Sequence, residues 1–309
     1  MNIPIVYYPL SILCIDDEEI MLKTLSNYIS PKYPVITVTT PTTAYTILNK
    51  NQSKPKLANH LENIINSENS DSSDIQLKIR LEQLIGLSEI EDKSSEIGVM
   101  IVDYKLPEMN GLDFCYDIHN LSTMKILLTE CQEYQRVLSA FSDNIIHSFF
   151  PKSENNLLSR ILNCISQLTT RYFLNATQQL KANIETKNKL PISDDLFKKL
   201  FCSIIRDMEI REYYLLDVNG SFLFINTKQE RFYLIVHTEE SLISFTSLYN
   251  DSDLKPFIEP ITNRLKIPFF GPKKDPAEVN ISEWGTHLFT PQKFIGEKLY
   301  YWHIFKQEI

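Results

Sequence analysis

Over the first half of the chain, short solid apolar blocks alternate with stretches whose apolar residues recur at helical spacing. Ser11–Ile15 is a block, and Asp17–Ile29 follows with Ile20, Met21, Leu22, Leu25 and Ile29 in a helical pattern. Val35–Thr39 reads as a strand and Thr42–Leu48 as a short helix. Val99–Val102 is a further block ending at Asp103. Leu112–Ile118 is helical, Lys125–Leu128 a strand, Tyr134–Phe141 helical and Ile145–Phe150 a strand. Strands that are apolar on both faces, with helices between them, predict an α/β, doubly wound, parallel five-stranded sheet covered on both sides.

The pattern breaks between Asn51 and Glu96, where Asn, Ser, Lys, Glu and Asp dominate and helical patches appear at His60–Ile65 and Ile75–Leu87. This stretch reads as a helical insertion between the second helix and the third strand of the sheet. After Lys152 comes the longest helical pattern in the chain. Leu158, Ile161, Leu162, Ile165, Leu168 and Tyr172 keep an a/d-like spacing, and no breaker occurs before Pro191. Two readings stay open: the last helix of the first domain, or a coiled-coil linker. The remainder predicts an α+β domain. Ser193 or Asp194 caps a helix to about Asp207. Strands follow at Glu212–Asp217, Ser221–Asn226 and Arg231–His237, with a hairpin signal at Asn219-Gly220. A helix opens at Thr238, a proline-rich stretch follows, and Lys298–Phe305 is a closing strand. The organisation predicted is a first domain over 1–168 with the insertion at 51–96, a helical linker over 169–190, and an α+β output domain over 191–309.

A length of 309 residues suits two domains. The net charge is −8, and all of the excess acidity lies before Ile161, so a general basic grip on nucleic acid is disfavoured. Only seven glycines serve the chain, which argues against glycine-rich phosphate loops. The five cysteines show no C-x-x-C spacing and read as buried, reduced thiols. The start lacks a basic n-region and no apolar stretch reaches membrane-spanning length, so a cytoplasmic location is expected.

In a doubly wound sheet the carboxyl ends of the strands share one crevice. Asp16 and Asp17 end the first strand, Asp103 ends another, Thr129 a third, and Lys152 follows a fourth. Taken alone, Asp16-Asp17 could merely cap the next helix, Thr129 could be a solvated strand end, and Lys152 a surface residue. Taken together, three carboxylates in one crevice need a cation, and oxygen-only ligands suit Mg²⁺. A carboxylate, a hydroxyl and an ammonium around that cation suit phosphoryl transfer onto Asp103. Lys152 would supply a second positive charge and Thr129 a hydroxyl donor.

The run Ile15-Asp16-Asp17-Glu18 and the run Val102-Asp103-Tyr104-Lys105-Leu106-Pro107-Glu108-Met109-Asn110-Gly111 resemble the receiver domains of two-component response regulators. Lys125–Thr129 and Phe149-Phe150-Pro151-Lys152 fit the same pattern. The resemblance covers about residues 10–168. It implies a flavodoxin-like fold, Mg²⁺ as cofactor, and a sensor histidine kinase as phosphodonor. It also implies direct metal ligation by Asp17 and Asp103, a backbone carbonyl from Lys105, Asp16 acting mainly through water, and Phe149 at the aromatic switch position. Phosphorylation-dependent homodimerisation is a further implication.

Three features depart from the family pattern: the insertion, Glu130 where a small residue is usual, and proline before rather than after Lys152. Glu130 is expected to narrow access to the phosphoacceptor, and the proline leaves the lysine's placement open. The insertion falls away from the pocket mouth and is expected to be dispensable for phosphorylation. The output region carries no basic recognition helix, no cyclic-dinucleotide motif and no metal-spaced histidines. A non-enzymatic output that binds a protein, nucleotide or nucleic acid is expected, with a receiver-governed enzyme as the alternative. A receiver joined to such an output is similar to quorum-sensing response regulators that govern virulence, motility and growth phase.

Overall fold

The computed structural model describes residues 2–52, 57, 81, 84–90, 93–130, 134–185, 189–249, 251–272 and 275–307. Two compact units divide the chain. The first comprises residues 8–52, 57, 93–130 and 134–176. The second comprises 2–7, 81, 84–90 and the described chain from 177 onward.

The chain start, read in sequence as one buried strand, is two. Strand β1 (Val6–Tyr7) pairs antiparallel with a strand of the second unit, and β2 (Ser11–Ile15) opens the first. The first unit adds β3 (Val35–Val38), β4 (Ile97–Asp103), β5 (Met124–Thr129) and β6 (Ser148–Pro151), all parallel, in the order β3-β2-β4-β5-β6. Every residue of β2, β4 and β5 is buried, as solid apolar blocks require. The helices are α1 (Glu19–Ile29), α2 (Pro41–Gln52), α3 (Gly111–Asp117), α4 (Tyr134–Ser142) and α5 (Leu157–Glu185). The chain leaves β2 toward β3 on one side and later places β4 on the other. The strand order therefore reverses between β2 and β4, where a ligand crevice forms.

The a/d stripe of α5 is core, not a coiled-coil seam. Ile161, Ile165, Leu168, Tyr172 and Phe173 are buried. Glu96 at the foot of β4 accepts hydrogen bonds from Tyr172 Oη at 2.5 Å and Tyr8 Oη at 2.6 Å. Residues 169–176 thus belong to the first unit, and the helix runs on to Glu185 without interruption. A polar residue at Ile165 would damage this core.

Most of the 51–96 stretch, including the patches at His60–Ile65 and Ile75–Leu87, lies largely outside the described residues. Among the described residues of this stretch, Leu57, Leu81, Leu84, Ile85 and Leu87 are buried. Deleting them would take buried apolar side chains out of both units, so removal of the whole stretch is expected to lower stability.

Lys125 on β5 is fully buried, and its ammonium reaches only the Thr123 carbonyl at 3.4 Å, with no carboxylate partner among the described residues. Burial pulls its pKa down. The unfolded chain then holds that proton more readily than the native one, so stability rises with pH toward the ordinary lysine range. Lys125→Met should therefore raise stability by on the order of 1 kcal/mol, read as a higher Tm. The gain should shrink as the pH is raised.

The second unit is built on a six-stranded sheet in the order β1-β7-β8-β9-β13-β12. Its strands are β7 (Ile210–Leu215), β8 (Phe222–Asn226), β9 (Arg231–Thr238), β12 (Gln292–Ile295) and β13 (Leu299–Lys306), with a separate β10 (Ile267–Pro268) and β11 (Leu288–Phe289) pair. Helix α6 (Asp195–Asp207) is capped by Asp194, whose Oδ1 accepts from Leu196 N at 2.8 Å. Its Phe201 packs on Tyr213, Phe222 and Phe224. Helices α7 (Glu239–Leu248) and α8 (Lys255–Thr262) join a second core around Trp284, Ile235 and Tyr301. Gly220 in the β7–β8 turn has φ 90°, the left-handed conformation that the Asn-Gly signal demands. Among the described residues no helix is long and apolar enough to cross a membrane.

Candidate phosphoacceptor pocket

Asp16 is held at the carboxyl edge of the sheet because its backbone N–H still donates to Val38 O at 3.2 Å. Its Oδ1 accepts from Glu18 N at 2.9 Å, a turn that launches α1, so the helix-start role and the site role coexist in one side chain. Asp103 closes β4, and Tyr104 N donates to Leu128 O at 2.8 Å, carrying the ladder one step further. The chain then folds back tightly. Gly111 N donates to Tyr104 O, and a Cβ at Gly111 would lie 1.9 Å from Asp103 O, so only glycine fits. Asn110 caps α3 by accepting from Asp113 N at 2.8 Å. The Asn-Gly pair of the motif is thereby explained by backbone packing behind the aspartate.

Lys152 is placed by its own backbone. Its N–H donates to Thr129 O at 2.9 Å, and Glu154 N donates to Pro151 O at 3.0 Å. Every described peptide bond is trans. The ammonium lies 2.9 Å from Asp16 Oδ2 and 3.1 Å from Asp103 Oδ2, with Glu18 Oε1 at 3.8 Å. The question that the proline left open is settled in favour of the pocket. Glu18 was not singled out from the sequence, although its place in the acidic run is the signal that could have marked it.

Asp16 and Asp103 are 1 % and 3 % exposed, whereas Asp17 is open to solvent. Oxygens from all three lie within 4.8 Å of one another. Burial, and then the charge of Asp16, push the Asp103 carboxyl up to about 6, against the opposing pull of Lys152 and of the Lys105 backbone N–H. Burial disfavours the Lys152 ammonium, but its two carboxylate partners outweigh this and hold its pKa above the ordinary value. A hard, oxygen-only donor set with mutual repulsion and one open side fits a divalent cation such as Mg²⁺.

Thr129 is buried at the end of β5, in register with Pro151. Phe149 is half-buried on β6 and meets Tyr134 and Phe141 edge-to-face, both at 5.9 Å. Lys105 and Glu130 are exposed and pair with each other, the first two residues beyond Asp103 and the second next to Thr129. The sequence marked Glu130 as an obstruction but not its tie to Lys105.

A buried aspartate bridged by lysine to a second carboxylate, at the switch point of a five-stranded parallel sheet, gives the first unit the architecture of a receiver domain. The whole chain joins this unit to a second unit built on an antiparallel sheet. Its structure is similar to that of the Legionella pneumophila response regulator LqsR, with a TM-score of 0.72 at 23 % identity over 100 % of this chain and 91 % of that one. A response regulator receiver domain from Clostridium thermocellum aligns at 17 % identity over 53 % of this chain and 98 % of its own, with a TM-score of 0.34. A signal receiver domain of an HD domain-containing protein from Pseudomonas fluorescens Pf-5 aligns at 19 % over 56 % and 95 %, with a TM-score of 0.35. No protein-family model and no curated protein matches the sequence.

Proposed function

We propose that the chain is a phosphorylation-switched response regulator with Asp103 as phosphoacceptor and a sensor histidine kinase as donor. The observation that carries this reading is the Lys152 ammonium bridging buried Asp16 and Asp103 at 2.9 and 3.1 Å. Asp16, Asp17, Asp103 and the Lys105 carbonyl would hold Mg²⁺, which when bound offsets the negative charge gathered on the transferring phosphoryl group. The Asp103 carboxylate attacks phosphorus, and the bond to the donor nitrogen breaks as the acyl phosphate forms. Lys152 is then placed to pair with the phosphoryl oxygens. Thr129 donates its hydroxyl to them, and Phe149 follows into the space that Thr129 leaves. The second unit passes the signal on by binding, and the resemblance to quorum-sensing regulators supplies the circuit class.

The test is labelling by a small phosphodonor or a kinase. Transfer should require Mg²⁺ and should be abolished in Asp103→Asn, and unchanged labelling of that variant would end the assignment.

The Lys105–Glu130 pair offers a second check. Each holds the other charged, Glu130 below and Lys105 above its ordinary pKa. If the pair narrows the mouth, Glu130→Ala and Lys105→Ala should each speed both acquisition and loss of the phosphoryl group several-fold. The double variant should add little to either single change, as expected for two halves of one contact. Stopped-flow phosphorylation and a hydrolysis time course read both rates.

A further inference from the structure

The second unit holds a cleft of about 420 Å³ that the phosphoacceptor does not use. This lies within the range of small-molecule sites, about 300–1,000 Å³. We propose that it binds a small organic anion with a flat apolar body, headed by a carboxylate or a phosphate monoester.

The floor is rigid and uncharged. His237 on β9 is buried, and its Nε2 lies 2.9 Å from Pro268 O. A carbonyl only accepts, so Nε2 carries the proton and Nδ1 is the acceptor. That acceptor lies 3.1 Å from Ser241 Oγ, a hydroxyl that accepts from Thr238 N and also lies 3.0 Å from a second acceptor, Thr238 O. The His237–Ser241–Thr238 set ties the first turn of α7 to the sheet, so the cleft is formed before any ligand arrives.

The rim carries two ammonium groups, each met by an exposed carboxylate, Glu297 for Lys189 and Glu240 for Lys298. Lys189, Lys298 and Glu240 line the cleft, in a chain whose overall charge is −8. Neither lysine is locked. Lys189 pairs with Glu297, and both are more than half exposed. Lys298 reaches Glu240 only at 3.4 Å, across a similarly open pair. Exposed pairs of this kind contribute roughly 0–1 kcal/mol and exchange readily. Glu240 also has its own partners, the backbone N–H at the start of α7 and the Thr238 side chain, so it does not depend on Lys298. An incoming anion can therefore take both ammoniums without stranding a buried charge.

Further along the same helix the lining turns apolar. Phe245 belongs to it, and Leu248 is 78 % exposed. Covering a leucine of that exposure and stacking on the ring would reward a flat hydrocarbon body. The cleft thus asks for both properties in one molecule.

The protein carries its own reporter. Trp284 is buried with its ring 6.4 Å from that of Phe245, and the chain has only one other tryptophan, Trp302. In full-length Trp302→Phe protein without Mg²⁺, titration with phenyl phosphate or benzoate should give a saturable change in Trp284 emission. The tighter of the two identifies the head group. Neutral benzamide should bind much more weakly. Lys189→Gln with Lys298→Gln should weaken the anions by at least about tenfold. Far-UV CD and Tm of that double variant should stay unchanged. Equilibrium dialysis of the same probes against the unsubstituted chain gives an independent reading if Trp302→Phe folds poorly. The proposal is overturned if neither anion saturates by either method. Equal binding of benzamide, or equal affinity in the double lysine variant, would overturn it too.

Discussion

Lys152→Met should cost the metal-free protein about 3 kcal/mol of stability, because breaking a buried ion pair leaves uncompensated charge behind. Here two buried carboxylates lose their shared partner, and the Asp103 carboxyl, already pushed up to about 6, is driven higher. Asp16 and Asp103 are both buried at the end of adjacent strands, and the ammonium lies within 3.1 Å of each. Without it their repulsion is still met by the Lys105 and Glu18 backbone N–H groups, which donate to Asp103 and Asp16 respectively. A divalent cation that binds native but not unfolded protein stabilises by mass action. Millimolar Mg²⁺ should therefore restore much of the loss in the variant, and more than it adds to the parent chain. Denaturant unfolding with and without Mg²⁺ measures both effects. Equal stability of parent and variant in metal-free buffer would mean that the bridge does not hold the pocket together.

The second large effect concerns self-association. Tyr134, Leu138 and Phe141 stand 52 %, 40 % and 45 % exposed on α4. Their spacing of i, i+4 and i+7 places them on one stripe. Phe149 touches the two outer rings of that stripe from β6. If the switch draws Phe149 inward, the stripe must repack, and an exposed apolar face of this kind is suited to its own copy. Phosphorylation should shift the monomer–dimer constant at least tenfold, which needs only about 1.4 kcal/mol. Leu138→Glu should abolish that shift while leaving Asp103 labelling intact. Light scattering over a concentration series reads it, and an unchanged mass on phosphorylation would exclude this mode of signalling.

The parallel sheet and its pocket were legible because both leave strong local marks. Solid apolar blocks announce strands covered on both faces, and Asp16, Asp17, Asp103 and Thr129 sit where those blocks stop. Lys152 was legible as a residue but not as a placement, since its position depends on a backbone hydrogen bond to Thr129 that no local pattern encodes. The α5 stripe was ambiguous for a physical reason. An a/d repeat says which face is buried, not whether a domain core or a second helix buries it. Glu96 was invisible because its partners Tyr8 and Tyr172 are 88 and 76 residues away in sequence. In the second unit, β7, β8, β9 and β13 were readable from aromatic and β-branched runs. The pairing of β1 with β7 was not, because a two-residue strand has no periodicity to detect.

The central claim is that Asp103 itself carries the phosphoryl group. An acyl phosphate is reduced by borohydride to an alcohol, which leaves homoserine where an aspartyl phosphate stood. Protein phosphorylated in Mg²⁺ should, after reduction and peptide mapping, show homoserine at position 103 and aspartate at positions 16 and 17. Homoserine at another position, or aspartate at 103 in a sample shown to be phosphorylated, would contradict the account.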